Sequence, residues 1–376
     1  MRVLVVGGGV AGSAVAIALR EVADVTVVEA RPDPAGDVGS FVSLAVNGLR
    51  GLDALGCLDD VRSRGFAVDR QLMWSASGKL LADVPRGRRE EDTLRGVTIM
   101  RGQLVDALRD AATRAGAALV TGERLVDLES VDADLVVGAD GLWSTTRRLL
   151  DPTAPQPRYA GLYTVCGVAE GVDVPPGTFN MTFASAGAFL HVAAPNGETW
   201  WAAQVADPVE PDRTADTDWL ARVAGLYRGE ATPFRIIAAT TRLHPTTVMH
   251  TLAPVPTRHT DRAVLIGDAA HPVGAGQGAS MAVEDALALA RHLKSAPIPT
   301  ALAAYDAERL PRITRLLKAA DDNRDRKTSG PVKRWAQTTA MKLFFRHFYP
   351  RATAWLYAYD PGDHPPVAAL LRTERH

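Results

Sequence analysis

The sequence predicts an α/β fold in which a parallel-sheet nucleotide-binding domain is interrupted by an antiparallel, β-rich insert and followed by a C-terminal helix. Three observations predict it. The chain opens on strand, glycine turn, helix and strand, the second strand ending in an acid at Glu29. More than two hundred residues later that texture returns, as an apolar run (Ala263–Ile266), Gly267-Asp268, a glycine-rich turn and an Ala-rich helix. Between the two, from Tyr159 to about His259, short runs rich in Thr, Val, Phe and Trp alternate with turns such as Pro175-Pro176-Gly177 and Pro195-Asn196-Gly197. That alternation is the texture of antiparallel sheet.

Composition sets outer bounds. A chain of 376 residues with 47% hydrophobic content can bury a large core and hold two domains. A formal net charge of -1 gives no electrostatic reason to expect nucleic acid or an anionic membrane as partner. Cys57 and Cys166 form neither a metal spacing nor a disulfide framework, which suits a reducing cytoplasm. No stretch approaches the ~18 apolar residues of a membrane span. The first twenty residues imitate a signal peptide, but the glycines at 7, 9 and 12, the break at Arg20-Glu21 and the acid-terminated strand that follows belong to a nucleotide-binding unit.

Taken in order, Arg2–Val6 reads as a strand, Ala11–Val22 as a helix and Val25–Val28 as a strand. Gly7-x-Gly9-x-x-Gly12 spans the first turn, with Val10 and Ala11 inside it as further cofactor-binding candidates. In a Rossmann-like unit such glycines permit a tight turn, close approach of a pyrophosphate and close helix–strand packing. Glu29 would accept hydrogen bonds from an adenosine ribose, so a free diol is favoured: FAD or NAD rather than NADP at this site. Asn47–Arg64 and Arg101–Ala115 are helical by apolar spacing, and residues 83–96 read as a charged, solvated loop. Leu135–Val137 is a buried strand that delivers Asp140-Gly141, with Ser144, Thr145 and Arg147 behind. Asp140 reads either as a helix cap or as part of the nucleotide site. At Gly267-Asp268 a carboxylate is placed to grip a polyol, and the turn aims a helix N-terminus at an electron-rich group. Pro331–Tyr359 is helical and aromatic, with basic residues interleaved; its apolar face is expected to pack on the body of the protein rather than lie on a membrane.

The glycine fingerprint, the Asp-Gly motif and the Gly-Asp motif, in that order and spread over residues 1 to about 325, resemble the single-component, class A FAD-dependent aromatic hydroxylases. The resemblance implies a discontinuous Rossmann-like FAD-binding domain (1–72, 97–158 and 260–328), a β-rich substrate domain (73–96 and 159–259) and a C-terminal helical segment (329–376). It implies FAD as cofactor and NADPH or NADH as transient reductant. Oxygen from O2 would be inserted into an aromatic or polyketide-like small molecule through a flavin C4a-hydroperoxide. Carried over position by position, Glu29 holds the adenosine ribose, Arg101 and Gln103 approach the flavin, Asp140 lies near the pyrophosphate, and Gly267-Asp268 reaches the ribityl chain. Pro272, Gly274, Gly276, Gln277, Gly278, Ala279 and Ser280 line the ring. The same scaffold also fits a flavin-dependent reductase or dehydrogenase, or a flavin-binding protein without turnover.

The resemblance is broken in three places. Ser280 stands where the family usually has asparagine. The stretch from Ala117 to Asp134 is short where relatives carry a hairpin. Val165-Cys166 replaces a Trp-Arg pair that in some relatives serves the active site. In the insert, Tyr163, Phe183, Phe189, Trp201 and Gln204 are the candidate substrate-binding residues. Phe189 and His191 share a face if their run is a strand, and His191 is the candidate base for deprotonating a phenol. His244 and His250 are weaker candidates of the same kind, and a packing role is expected for His271.

Overall fold

The computed structural model describes residues 1–32, 40–212, 216–273, 276–327 and 349–360. Its frame is three sheets. The first is wholly parallel and combines β1 (Arg2–Val6), β2 (Asp24–Glu29), β8 (Ala118–Thr121), β9 (Leu135–Gly138) and β15 (Ala263–Leu265) in the order β15-β9-β1-β2-β8. Strands such as RVLVV and LVVG are apolar throughout because a central parallel strand is covered on both faces. Val3, Val5, Val25 and Val27 face a helical layer made by α1 (Val10–Leu19), α4 (Arg101–Arg114) and α8 (Gly278–Ser295). Leu4, Val6 and Val136 face the other way, onto Leu125, Leu128 and Val131 of the stretch between β8 and β9.

Small side chains set how closely the helices approach. A Cβ on Gly48 of α2 (Val46–Ala54) would lie 2.4 Å from Ser280 Oγ, and one on Gly51 would lie 2.5 Å from Val283. The α2 and α8 N-termini therefore abut, and Ser280 is small enough to fit against Gly48. The single helix expected over Asn47–Arg64 is two. Gly56, at φ +73°, ends the first turn-and-helix unit, and α3 (Leu58–Arg64) starts afresh.

The second sheet holds β5 (Arg70–Ser75), β6 (Leu80–Pro85), β10 (Arg158–Ala169), β11 (Thr178–Phe183), β12 (Gly187–Ala193), β13 (Thr199–Ala206) and β14 (Thr240–Thr251), in the order β14-β10-β13-β12-β11-β5-β6. It is antiparallel except where β11 pairs with β5. The solvated loop expected from residue 83 is a strand as far as Pro85, and beyond it Asp92 is tied down by Arg89 and Arg50, its side chain only 4% exposed. The third sheet, β3 (Phe41–Leu44), β7 (Gly96–Met100) and β4 (Phe66–Val68), bridges the other two: Phe41 and Phe66 ring-pack on Trp200 with centroids 6.1 and 5.2 Å away.

The β-rich region also contains two helices that strand texture did not predict, α6 (Trp219–Leu226) and α7 (Ala231–Ala238). Val223, Tyr227, Ile236 and Ile237 carry their buried stripes onto one face of the large sheet. After α9 (Ile298–Lys327), the helix Tyr349–Tyr357 packs Trp355 and Leu356 against Val273, Met281, Ile313 and Leu316. Its terminal carbonyls are met by cations: Arg50 donates to Tyr357 O at 2.7 Å and Arg312 to Leu356 O at 3.0 Å. The rest of the basic aromatic segment, including Trp335, Phe344, Phe345 and Phe348, lies outside the described residues. Among the described residues no helix is long and apolar enough to cross a membrane.

Candidate active site

The three motifs meet on one side of the parallel sheet. At the first, Gly7 takes φ +102° and its backbone packs on the next strand, so a Cβ there would lie 2.6 Å from Ala139 O. Gly12 is tighter: a Cβ would lie 1.8 Å from Gly7 O. At Gly9 the opposite holds, since a Cβ would meet nothing within 4 Å. No side chain caps α1, so its first backbone N–H groups, at Val10 and Ala11, are left for a ligand. Glu29 ends β2 and accepts from Gly8 N at 2.8 Å and Arg31 N at 3.0 Å. Arg109, buried on α4, donates Nε to Gly8 O at 2.7 Å and sits 4.0 Å from Glu29. This arginine was not anticipated; the signal is a cation on the buried stripe of Leu104, Val105 and Leu108.

Asp140 does cap a helix. Its carboxylate accepts from the backbone N–H of Thr145 and Thr146 at 2.8 and 2.9 Å and from Ser144 Oγ, at the start of α5 (Thr145–Leu150). Both oxygens are engaged, so what faces the space beside Gly7 is the Asp140-Gly141 backbone. Gly141 (φ +74°) leaves open room. Arg147, wholly buried, joins this motif to the third: Nη2 donates to Leu142 O at 2.7 Å and Nη1 to Ala269 O at 2.8 Å.

In the third motif β15 runs into a 3-10 turn, Gly267–Ala269. A Cβ on Gly267 would lie 3.0 Å from Ala11 Cβ, so the turn abuts the start of α1. Asp268 keeps surface exposed to solvent although protein atoms crowd its carboxyl. Burial raises its carboxyl above the usual range, against the pull of His271 and Arg101. Arg101 and Gln103 open α4 and are exposed, and Arg101 lies near enough to act on the Asp268 charge. Gly278 begins α8 within reach of Asp268 Oδ1, 3.7 Å from a Cβ there, and no side chain caps this helix either. Behind the turn lies a buried ionic cluster. Asp285 accepts from Gly267 N (2.9 Å), His271 Nε2 (2.6 Å) and Arg309 Nε (2.8 Å). Glu284 is paired with Arg309 (3.0 Å) and Arg312 (2.6 Å). Burial alone would raise the Asp285 carboxyl, but His271 and Arg309 hold it down to about 2. Gly274 lies outside the described residues; Pro272 and Gly276 flank it, and Gly276 (φ +108°) leaves open space.

A family model described as a FAD binding domain matches residues 1–320. The chain belongs to the flavin-dependent aromatic hydroxylases. It is a FAD-dependent monooxygenase. Aurachin C monooxygenase/isomerase of Stigmatella aurantiaca is 32% identical, over 83% of this chain and 86% of that protein. Kynurenine 3-monooxygenase of Salinispora arenicola is also 32% identical, over 100% and 91%. The fold is that of Klebsiella pneumoniae HpxO complexed with FAD and uric acid, with a TM-score of 0.81 at 22% identity and 94% and 96% of the two chains covered. The residues present suit FAD. At Gly9, Gly141 and Gly276 an added Cβ would meet no protein atom, the first turns of α1 and α8 carry no side-chain cap, and the carboxylates Glu29 and Asp268 belong to the first and third motifs.

The large sheet turns one face to α6 and α7 and the other to Phe41, Phe66 and Met100 of the three-stranded sheet. Tyr163, Phe189 and Trp201 lie on the helix face, in one cluster with Tyr227, Ile236 and Ile237. His191 is with them, opposite Trp201 in the ladder and 5.9 Å from the Phe189 ring. The expectation that these four line a substrate pocket is therefore corrected. Period two groups them properly but does not say which face is which, and the helices that cover them were missed. Gln204 has the opposite parity. It pairs with Thr164 and Ala188, and its face carries Val168, Phe179 and Trp200, which meet Phe41 and Met100 just before Arg101. Phe183 shares that parity but packs at the far end, against Met73, Leu81 and Val84. Cys166 and Ala202 lie beside Gln204 on the same face, and Cys166 interacts with Ser40, whose carbonyl accepts from Arg101 N at 3.1 Å. His244 is opposite Cys166 in the ladder, whereas His250 bonds to Glu210 at 3.1 Å.

His191 is buried, 4% exposed. Burial, helped by the Arg235 cation, pushes its pKa down to about 4. The unfolded chain then takes up a proton from pH 6.5 downward that the folded protein refuses until about pH 4. Stability falls across that window as pH drops, by up to about 3 kcal/mol from this group. Urea titrations of wild type and His191→Gln at pH 7 and pH 4.5 test this: the variant should lose less on acidification. Equal losses would assign the acid sensitivity elsewhere.

Proposed function

We propose that this enzyme inserts one oxygen atom of O2 into an uncharged aromatic or polyketide-like small molecule, with NAD(P)H as transient reductant. The observation that carries this reading is the face of the large sheet opposite α6 and α7, where Thr164, Cys166, Ala188, Ala202 and Gln204 adjoin. All five are uncharged and four are small. Their side chains include one amide and one hydroxyl, and no cation stands at position 166 to anchor a carboxylate. Relatives named for kynurenine and 3-hydroxybenzoate act on aromatic compounds, which supports the ring class.

Bound FAD supplies hydride acceptance and the activation of O2 for transfer of a single oxygen atom. The chain's own residues bind and orient. Glu29 receives the adenosine ribose, and the N–H groups after Gly9, at Val10 and Ala11, receive the pyrophosphate beside Gly12 and the Asp140-Gly141 backbone. Asp268 accepts from ribityl hydroxyls, with Arg101 and Gln103 across from it. Pro272, Gly276, Gln277, Gly278, Ala279 and Ser280 face the ring, where the α8 N-terminus stabilises negative charge on its electron-rich edge without a cationic side chain. In this reading residues 1–72, 97–158 and 260–328 hold the cofactor, while 73–96 and 159–259 roof the substrate and exclude water. Two free, buried thiols, Cys57 and Cys166, suit a cytoplasmic setting.

The test is NAD(P)H oxidation across paired neutral and carboxylated aromatics, with product mass spectrometry under heavy-isotope O2. Neutral compounds should stimulate turnover and carry one labelled oxygen. Product without label would sink oxygen insertion, and preference for the acids would sink the uncharged substrate class. Asp268→Ala should purify with markedly less FAD; full occupancy in that variant would remove Asp268 from the ribityl role.

A further inference from the structure

We propose that Asn47 is a positioning residue that orients the Gln277 amide, so that Gln277 offers N–H donors and not its carbonyl to the flavin. The inference rests on the placement of Gly276–Ser280 against the ring. Glu284 is wholly buried on α8, held by the guanidinium groups of Arg309 and Arg312 at 3.0 and 2.6 Å, so its oxygens only accept. Asn47, also wholly buried, reaches it from α2 at 2.8 Å. The Asn47 atom facing a carboxylate has to be nitrogen. That same nitrogen lies 3.1 Å from the Gln277 side-chain oxygen at the N-cap of α8.

Each amide thus fixes the next. Turning Asn47 over would set its oxygen against an anion. Turning Gln277 over would set two NH2 groups face to face. Gln277 therefore keeps its oxygen inward and its NH2 outward, on the partly exposed side where Gly276 leaves open space. A buried negative charge is converted, through two side chains, into a donor direction at the mouth of a helix whose own first N–H groups are uncapped. The arrangement has a visible cost: Asn47 Oδ1 is buried with no hydrogen-bond partner. A buried acceptor left so is destabilising and persists where its surroundings dictate the side chain.

The test is a double-mutant cycle on the purified full chain with FAD, read by flavin fluorescence and by the midpoint potential of the bound flavin, neither of which needs turnover. Asn47→Leu keeps the branched shape and removes the relay; Gln277→Leu removes its end. Each is expected to weaken FAD about tenfold, and the double variant no more than either alone. Multiplied losses in the double variant, or unchanged affinity in Asn47→Leu, overturn the relay. Should Asn47→Leu fail to fold, Gln277→Met leaves Asn47 and Glu284 in place and removes the outward donor without adding a charge. It should lower the flavin midpoint potential, and an unchanged potential overturns the proposal. A wild type that binds FAD while the cycle is additive sinks the relay alone; a wild type that binds none sinks the placement beneath it.

Discussion

Gly12→Ala is expected to give a colourless protein, destabilised by about 3 kcal/mol or more. The added methyl would lie 1.8 Å from a backbone oxygen, that of Gly7, which cannot rotate aside as a side chain would. Relief requires α1 to lift away from β1, which disturbs the layer formed with α8 and separates the first motif from the third. Gly9→Ala is the matching control. Its methyl meets no protein atom within 4 Å, so the apoprotein should unfold at an unchanged denaturant midpoint while FAD affinity drops. Chemical denaturation of both apoproteins, with flavin titration, separates the glycine needed for packing from the glycine needed by the ligand. Equal denaturation midpoints for the two variants would contradict that division.

Arg309→Met is expected to cost about 3–5 kcal/mol, because it takes from two buried carboxylates the cation they share. Arg309 is 2% exposed and touches Glu284 and Asp285 at once. Burial works against its cation, but the two acids outweigh that and keep it protonated. The sign of the pH effect follows. Asp285 is held down to about 2 from a usual 3.8, so it contributes stability above pH 3.8 that is lost as pH falls through about 2. Without Arg309 its carboxyl rises, and acid unfolding should begin at a higher pH. Urea midpoints at pH 7 and the midpoint of acid unfolding measure both effects; an acid midpoint unmoved from wild type would show that Arg309 does not hold the acids ionised.

What could be read from the sequence was set by short-range rules. Glycine spacing, apolar strands and terminal acids revealed the three motifs, because each depends on neighbours within about twenty residues. Polar pairs that close across the chain could not be read. Arg109 with Gly8, Arg147 with Ala269, Asn47 with Gln277 and Arg309 with Asp285 follow from how helices and turns stack, and no local pattern encodes it. The large sheet shows the limit most clearly. Strand period placed Phe189 and His191 together but could not tell roof from floor. The helices that decide it are eight residues each, too short to outweigh the surrounding strand texture. Leu220, Val223 and Tyr227, spaced at three and four, were the signal available.

The strand order β15-β9-β1-β2-β8 has a consequence in time. Glu29 leaves the ribosome more than two hundred residues ahead of Asp268. At typical elongation rates of about 5–20 residues per second, that is a delay of roughly ten to fifty seconds. From the time β9 emerges, about halfway through that delay, it is an open edge, a template for another chain until β15 arrives to cover it. Translation thus makes the nucleotide grip first and the ribityl grip last, and a nascent chain stalled within the β-rich insert would present half a cofactor site beside an unprotected strand.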